Sequence, residues 1–233
     1  MPATALPSSG DQPHENQPNG AKTCDASGMA EIHRMFRAGF GEGPALVSGV
    51  AEGDAAHADR VGDHLTMLSI GLHAHHEGED TMLWDRLESR APACTVHVTR
   101  MKEQHAVMLT HLQALDAGLP VWRASGRAAD AASLTAALTG INTALAVHLP
   151  DEETNIVPVM ETTLTPKEVD WFGEHGRNAT PKGKSMIQLG AILAAQPDGG
   201  TEWLHKHLPG PVRLIWRTVG TRKYARYRAA LVN

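Results

Sequence analysis

Four stretches of this chain repeat apolar residues in alternating steps of three and four, and each breaks its own pattern with a histidine or a glutamate. Such steps keep side chains on one face of an α-helix. The first stretch sets His33 among Met29, Phe36 and Phe40. The second runs Val61, Leu65, Leu68 and Leu72, then continues to His75, Glu79 and Leu83. The third sets His105 among Val98, Met101, Met108, Leu112 and Leu115. The fourth runs Leu134, Leu138, Ile141 and Leu145 to His148 and Glu152. A polar group buried without a partner costs roughly 2–7 kcal/mol, and a charge costs more. Such groups on four helices are best accommodated if they meet and share something charged.

The pairs His75/Glu79 and His148/Glu152 are each separated by four residues, just over one helical turn, which stacks an imidazole and a carboxylate on one face. Two such faces opposed, with His33 and His105 on the other two helices, supply the donors of a two-metal site in a bundle core. Imidazole suits iron, copper and zinc, and a carboxylate can bridge two ions and offset their charge. Glu79 and Glu152 are the natural bridges and the four histidines the terminal ligands. A lone His-x-x-x-Glu is more often a surface ion pair, and a lone buried histidine a satisfied core residue. The ordered set carries the argument.

The second helix offers three registers: His73/Glu77, His75/Glu79 and His76/Asp80. Stepping back from His75 lands on Leu72, Leu68, Leu65 and Val61, whereas stepping back from His73 lands on Ser69 and Thr66, a wet face. His76 borders the apolar stripe and stays as a further candidate ligand, together with Glu153 and His111. Asp80, Glu153 and His111 are also placed to orient ligands from outside. Pro150 falls between His148 and Glu152 and is expected to kink the helix there, leaving Glu152 and Glu153 as rivals.

Residues 1–25 are rich in Pro, Ser, Gly, Asn and Gln and read as a disordered leader. The bundle is expected over 26–162 and a C-terminal helical extension over 163–233. Gly41, Gly43 and Pro44 should interrupt the first helical stretch, and the third should end near Gly118 and Pro120. Thr165-Pro166-Lys167-Glu168 is a capping box that starts a new helix, and Met186–Ala195 is a short apolar helix. After Glu202 seven basic residues follow with no acid, alternating with Val212, Trp216, Val219, Tyr224, Tyr227 and Leu231. That pattern reads as a helix packed on the bundle with its basic side in water.

Of the 14 histidines in the 233 residues, most are expected at the surface. The net charge of −5 argues against nucleic acid as a partner. No uninterrupted apolar run reaches the roughly 18 residues of a membrane span, so no stable membrane insertion is expected. Cys24 and Cys94 stand far apart and read as free thiols, which with no secretory signal points to the cytoplasm. There is no His-Glu-x-x-His, no Gly-rich phosphate loop and no Gly-x-Ser-x-Gly. The single Glu-x-x-His, Glu202/His205, lies outside the bundle stretches.

The order of these residues, with the flanking HHEGEDTMLW and HLPDEETNIVPVM, resembles the hemerythrin-like (HHE cation-binding) family over about residues 26–162. The segment LPGPVRLIWRTVGTRKYARY is similar to the tail of actinobacterial members. The resemblance implies an all-α, up-down-up-down four-helix bundle and two iron ions in a non-haem di-iron centre, with or without an oxo bridge. The matching positions are His33, His75, Glu79, His105, His148 and Glu152. Oxygen-carrying hemerythrins have a further histidine one turn after the third-helix ligand; here that position is Leu109, and His111 is out of phase. A more open site than an oxygen carrier's is expected. The function expected is binding or sensing of oxygen, nitric oxide or reactive oxygen species in oxidative stress. The alternatives are a di-iron enzyme acting on peroxide, with catalase, peroxidase or oxidase activity, and an iron-handling protein. Sequence does not set the oligomeric state.

Overall fold

The periodic stretches become long helices in the structure, a computed structural model that describes residues 21–233. The leader expected over 1–25 lies, up to residue 20, outside the described residues. Helices α1 (Gly28–Ser48) and α2 (Ala55–Gly78) are followed by a π-helical turn at Glu79–Leu83, a short α3 (Trp84–Arg90) and a 3-10 turn at Pro92–Cys94. The long α4 (Thr95–Ser125) and α5 (Ala128–Asn155) come next. Helix α1 packs on α2 and α5, and α4 packs on α2 and α5, closing a four-helix bundle. His33 lies near the start of α1, His75 near the end of α2, His105 in the first half of α4 and His148 near the end of α5. These positions meet because successive helices run in opposite directions, as expected.

The apolar residues of the four sequence stripes are buried and build two clusters. Phe36, Phe40, Leu65, Leu68, Leu72, Met108, Leu112, Leu138, Ile141 and Leu145 belong to the larger. Met29, Leu83, Val98 and Met101 join Trp84, Leu87 and Met160 in the smaller, at the end of the bundle where the histidines gather. Ala128–Thr163 is long and apolar enough, by length and composition, to cross a membrane. Its Leu134, Leu138, Ile141, Leu145 and Leu149 are instead bundle core.

The expected interruptions do not occur. Helix α1 continues through Pro44 to Ser48, and α4 through Pro120 to Ser125. An internal proline costs about 3 kcal/mol. Large apolar residues are buried at each proline: Leu46 and Val47 beyond Pro44, and Leu119 and Trp122 on either side of Pro120. Each buried side chain contributes roughly 1.5–3 kcal/mol, so the tertiary contacts outweigh the proline. Helix α5 likewise passes through Pro150 and ends at Asn155.

Beyond the bundle come α6 (Val157–Thr163), α7 (Pro166–Ala179), α8 (Ser185–Ala194), α9 (Thr201–His207) and α10 (Gly210–Ile215). A π-helical turn (Trp216–Gly220) then leads into α11 (Thr221–Val232). The capping box of α7 is formed: Glu168 N donates to Thr165 Oγ1, and Thr165 N donates to the Glu168 carboxylate at 2.9 Å. Helix α7 lies on α2, α8 on α1, and α11 on α2 and α8. His57 Nε2 meets the Leu231 carbonyl at 2.9 Å, His64 Nδ1 meets the Tyr227 hydroxyl at 3.0 Å, and Arg228 pairs with Glu42. Trp216 and Leu231 are buried as the amphipathic pattern implies, but Val219 is 58% exposed. The π-helical turn adds a residue to the helical repeat and rotates Val219 away from the face that Trp216 and Gly220 bury. The other end of the described chain is held too: Thr23 N donates to the Glu161 carbonyl at 2.7 Å.

Gly126 ends α4 in the left-handed conformation, at φ 62°, and a β-carbon there would sit 2.7 Å from the Asp54 carbonyl carbon. Both the conformation and the close approach exclude a side chain. Gly126→Ala is therefore expected to lower stability by more than about 1 kcal/mol. The expected signature is a lower denaturation midpoint at unchanged m-value; an unchanged midpoint would contradict this packing.

Candidate metal centre

The polar residues that break the apolar stripes are brought together at one end of the bundle. Two groups of four donors form there, each with its ligating atoms within 4.8 Å of one another. One group is His76, Glu79, His105 and His148; the other is His33, His75, Glu79 and Glu152. Glu79 belongs to both. Its Oε1 lies 3.2 Å from His75 Nε2 and its Oε2 lies 3.3 Å from His105 Nε2, so the carboxylate spans the two groups. Glu152 straddles them as well, with Oε2 at 3.3 Å from His33 Nε2 and 3.6 Å from His148 Nε2.

These donors fit cations. Both oxygens of Glu79 and of Glu152 are buried without a hydrogen-bond partner, and so are the Nε2 atoms of His76, His105 and His148. The Nε2 atoms of His33 and His75 face each other at 3.2 Å. Buried polar atoms without partners are uncommon in a packed core, and a cation in each group of four would give these residues a shared partner.

All six positions expected from the sequence lie in the two groups. His76 joins them, although periodicity set it aside as a rival of His75. Neighbours on a helix point about 100° apart, and α2 faces the gap between the groups, so His75 turns to one and His76 to the other. His76 also alters the expectation drawn from Leu109. The donor that α4 lacks is matched by one from α2, and its group holds three histidines. His111 belongs to neither group; its ring covers Gly140, where a β-carbon would lie 2.4 Å from Nδ1. His73 sits on the wet face as read, paired with Asp116 at 2.9 Å.

Three of these histidines are held from behind. His33 Nδ1 meets Glu153 Oε1 at 2.8 Å, and Arg37 holds the same oxygen at 2.9 Å. Glu153 is thus behind His33, while Glu152 is the buried carboxylate of the centre; Pro150 leaves this arrangement intact. His105 Nδ1 meets Asp80 Oδ1 at 2.9 Å, and Trp84 Nε1 donates to that oxygen at 2.7 Å. His148 Nδ1 meets Gln104 Oε1 at 2.9 Å, and the Gln104 amide donates to Asp151 at 3.0 Å. The sequence pointed to Asp80 and Glu153 but not to Gln104, Asp151, Trp84 or Arg37. Gln104 precedes a predicted ligand and is polar, a signal too weak to single out. Among the described residues, His75 and His76 have no partner at Nδ1. The π-helical turn after Glu79, not foreseen, carries Asp80 to His105 and Trp84 while Glu79 stays inside.

The electrostatics are strained in a way a cation would relieve. Burial draws the His33 pKa down, but the Glu152 carboxylate at 3.3 Å and the hydrogen bond to Glu153 prevail and push it up to about 9. Burial opposes protonation of His105 too, yet Asp80 and Glu79 raise its pKa to about 10. Burial, and then the charge of Glu152, push Glu79 up to about 8. Burial would raise Glu152 as well, but the close His33 imidazole and its charge hold it well below the usual range. His75 and His76 are driven far down by burial and by the neighbouring histidines. The upward directions favour the protonated forms of His33, His105 and Glu79 near neutral pH.

A four-helix bundle whose buried end carries histidines and carboxylates in two donor groups is the architecture of a metal-binding bundle protein. The family model for the hemerythrin HHE cation binding domain matches residues 25–160, more than half of the chain. The chain belongs to that family. No curated protein and no solved structure gives a match.

Cations must displace the protons on His33, His105 and Glu79, whose pKa values lie above 7. Metal affinity is therefore expected to rise from pH 7 towards pH 10, with about two to three protons released per chain on loading at pH 7. Calorimetry in buffers of different ionisation enthalpy counts these protons; zero release would refute the assignment. Asp80→Ala, which frees His105 Nδ1, is expected to weaken metal binding by about 10–100-fold.

Proposed function

We propose that the two donor groups hold two iron ions and that the protein binds or senses a small oxidant: oxygen, nitric oxide or peroxide. The observation that carries this reading is Glu79, a fully buried carboxylate shared by two four-donor groups. Two groups joined by one carboxylate suit a coupled pair of ions better than two independent ones. Imidazole and carboxylate without thiolate suit iron. Four protein donors at each ion are fewer than an octahedral metal accepts, which leaves room for a small ligand.

The bound ions supply redox chemistry; the chain supplies the rest. Glu79 and Glu152 offset the cationic charge inside an apolar end of the bundle. Asp80, Gln104 and Glu153 hold His105, His148 and His33 with Nε2 inward. Trp84, Met101 and Leu83 exclude bulk water from one side. His76 and His105 line a surface cleft between α2 and α4, together with His73, Glu77, Asp80, Lys102 and Leu109. This cleft is the route by which a small molecule would reach the centre. Its several titratable groups favour a second reading, in which the protein is an enzyme that disproportionates peroxide to water and oxygen. Two ions per chain make a poor store, so iron handling ranks below both. The two free thiols suit the reducing cytoplasm.

The test begins with metal content. Purified protein should contain about two irons per chain, as bundles of this class do. The His75→Ala/His148→Ala double variant removes one donor from each group and should retain far less; Glu79→Ala should do the same by a single change. Iron unaffected by either variant would sink the proposal. With iron established, an absorption change when reduced protein meets oxygen or nitric oxide supports binding. Peroxide turnover above that of free iron, abolished in Glu79→Ala, would favour the enzyme.

A further inference from the structure

A second cavity, of about 290 Å³, lies on the opposite side of α2 from the cleft, between the bundle and the C-terminal extension. Phe36 and Ala74 wall it from the bundle, while Phe172 of α7, Ile192 of α8 and Trp203 of α9 wall it from outside. Its outer wall lies beyond residues 25–160, so the cation-binding bundle alone does not form it. His75 belongs to both places: its Nε2 is among the donors, and its ring lines the cavity.

The cavity is held open by contacts that clamp the extension at several points. Arg86 and Arg90 pair with Glu168 at the start of α7. Arg34 donates to Gln196 at 2.7 Å, and Gln196 donates to the Glu31 carbonyl at 3.1 Å. Lys206 and His207 pair with Glu31. Between these clamps Ile192 joins the larger core cluster, and Trp203 and Phe172 pack against the two clusters, with the cavity left among them. Interiors pack densely, and an unfilled space lined by apolar groups is destabilising. An apolar cavity repels water and takes apolar molecules. Its volume is at the small end of ligand pockets, roughly 300–1,000 Å³.

The lining is not wholly apolar: the exposed Arg177 borders the cavity, as do His175, Gln188 and His207. The ion pairs of α7 use Glu168 and His175, and Arg177 joins neither. An exposed guanidinium bordering a largely apolar pocket matches a carboxylate on an apolar body.

We propose that this cavity binds a small apolar carboxylic acid, its body between Phe36, Phe172 and Trp203 and its carboxylate at Arg177. Binding at this place does not require the ions. Any influence of the ligand on the centre would pass through His75 and rests on the function proposed above.

The experiment uses the full-length protein as purified, with decanoate and decanol as probes. Titration calorimetry should show saturable one-to-one binding of decanoate, about tenfold tighter than decanol because of the charge-assisted pair. Arg177→Ala should remove that difference. Ile192→Trp, which fills the cavity, should abolish binding of both probes. Nuclear Overhauser contacts from bound decanoate to Trp203 and Phe172 in wild-type protein test the site without relying on a variant. Absence of saturable binding, or binding that survives in folded Ile192→Trp, would overturn the proposal. So would contacts to other aromatic residues only. Metal content, measured on every sample, keeps the two readings apart: loss of the metal assignment would leave decanoate binding standing, and the reverse.

Discussion

Two carboxylates and five imidazoles are buried at one end of this bundle, and the structure around them is organised by that burden. Charges removed from water must be paired or neutralised. Protons achieve this in part, at His33, His105 and Glu79, and leave most inward-facing atoms without a partner. Cations would meet the whole set at once. The apolar cluster of Trp84, Leu83 and Met101 keeps water from relieving the strain, and the outer hydrogen bonds fix which nitrogen of each ring turns inward.

The outer hydrogen bonds are uneven, and the unevenness has a spatial logic. His33, His105 and His148 are each tied at Nδ1 by a side chain anchored in turn by Arg37, Trp84 or Asp151. His75 and His76 are not; they border spaces on the two sides of α2, His76 beside the tied His105 in the cleft and His75 in the second cavity. The extension contributes to one of those spaces. Gly78 makes its close approach possible: a β-carbon there would meet His175 at 3.2 Å and Phe172 at 3.5 Å. A larger residue would push α7 off α2 beside the donors.

Much of this was legible in the chain itself. The apolar stripes are core because period alone fixes which residues share a helix face. The same stripes carried six of the donors, since a ligand in a bundle core must occupy a core position. The capping box at Thr165 was legible because its hydrogen bonds are local. His76 was not, since periodicity ranks positions on one helix and cannot tell that a second donor group lies beside the first. Gln104 and Asp151 were not, because their partners come from different helices.

The sequence by itself determined the helical class, the core faces and the principal donors, all of which follow from the geometry of one helix and the cost of burying polar groups. It also encoded the breaks at Pro44 and Pro120 that the fold overrode. Only the tertiary structure decided that those helices continue, because burial of Leu46, Val47, Leu119 and Trp122 depends on what packs against them. It alone made His75 and His76 partners in one centre and packed the extension on the bundle around a cavity. These are distances between segments remote in the chain, which local spacing does not contain.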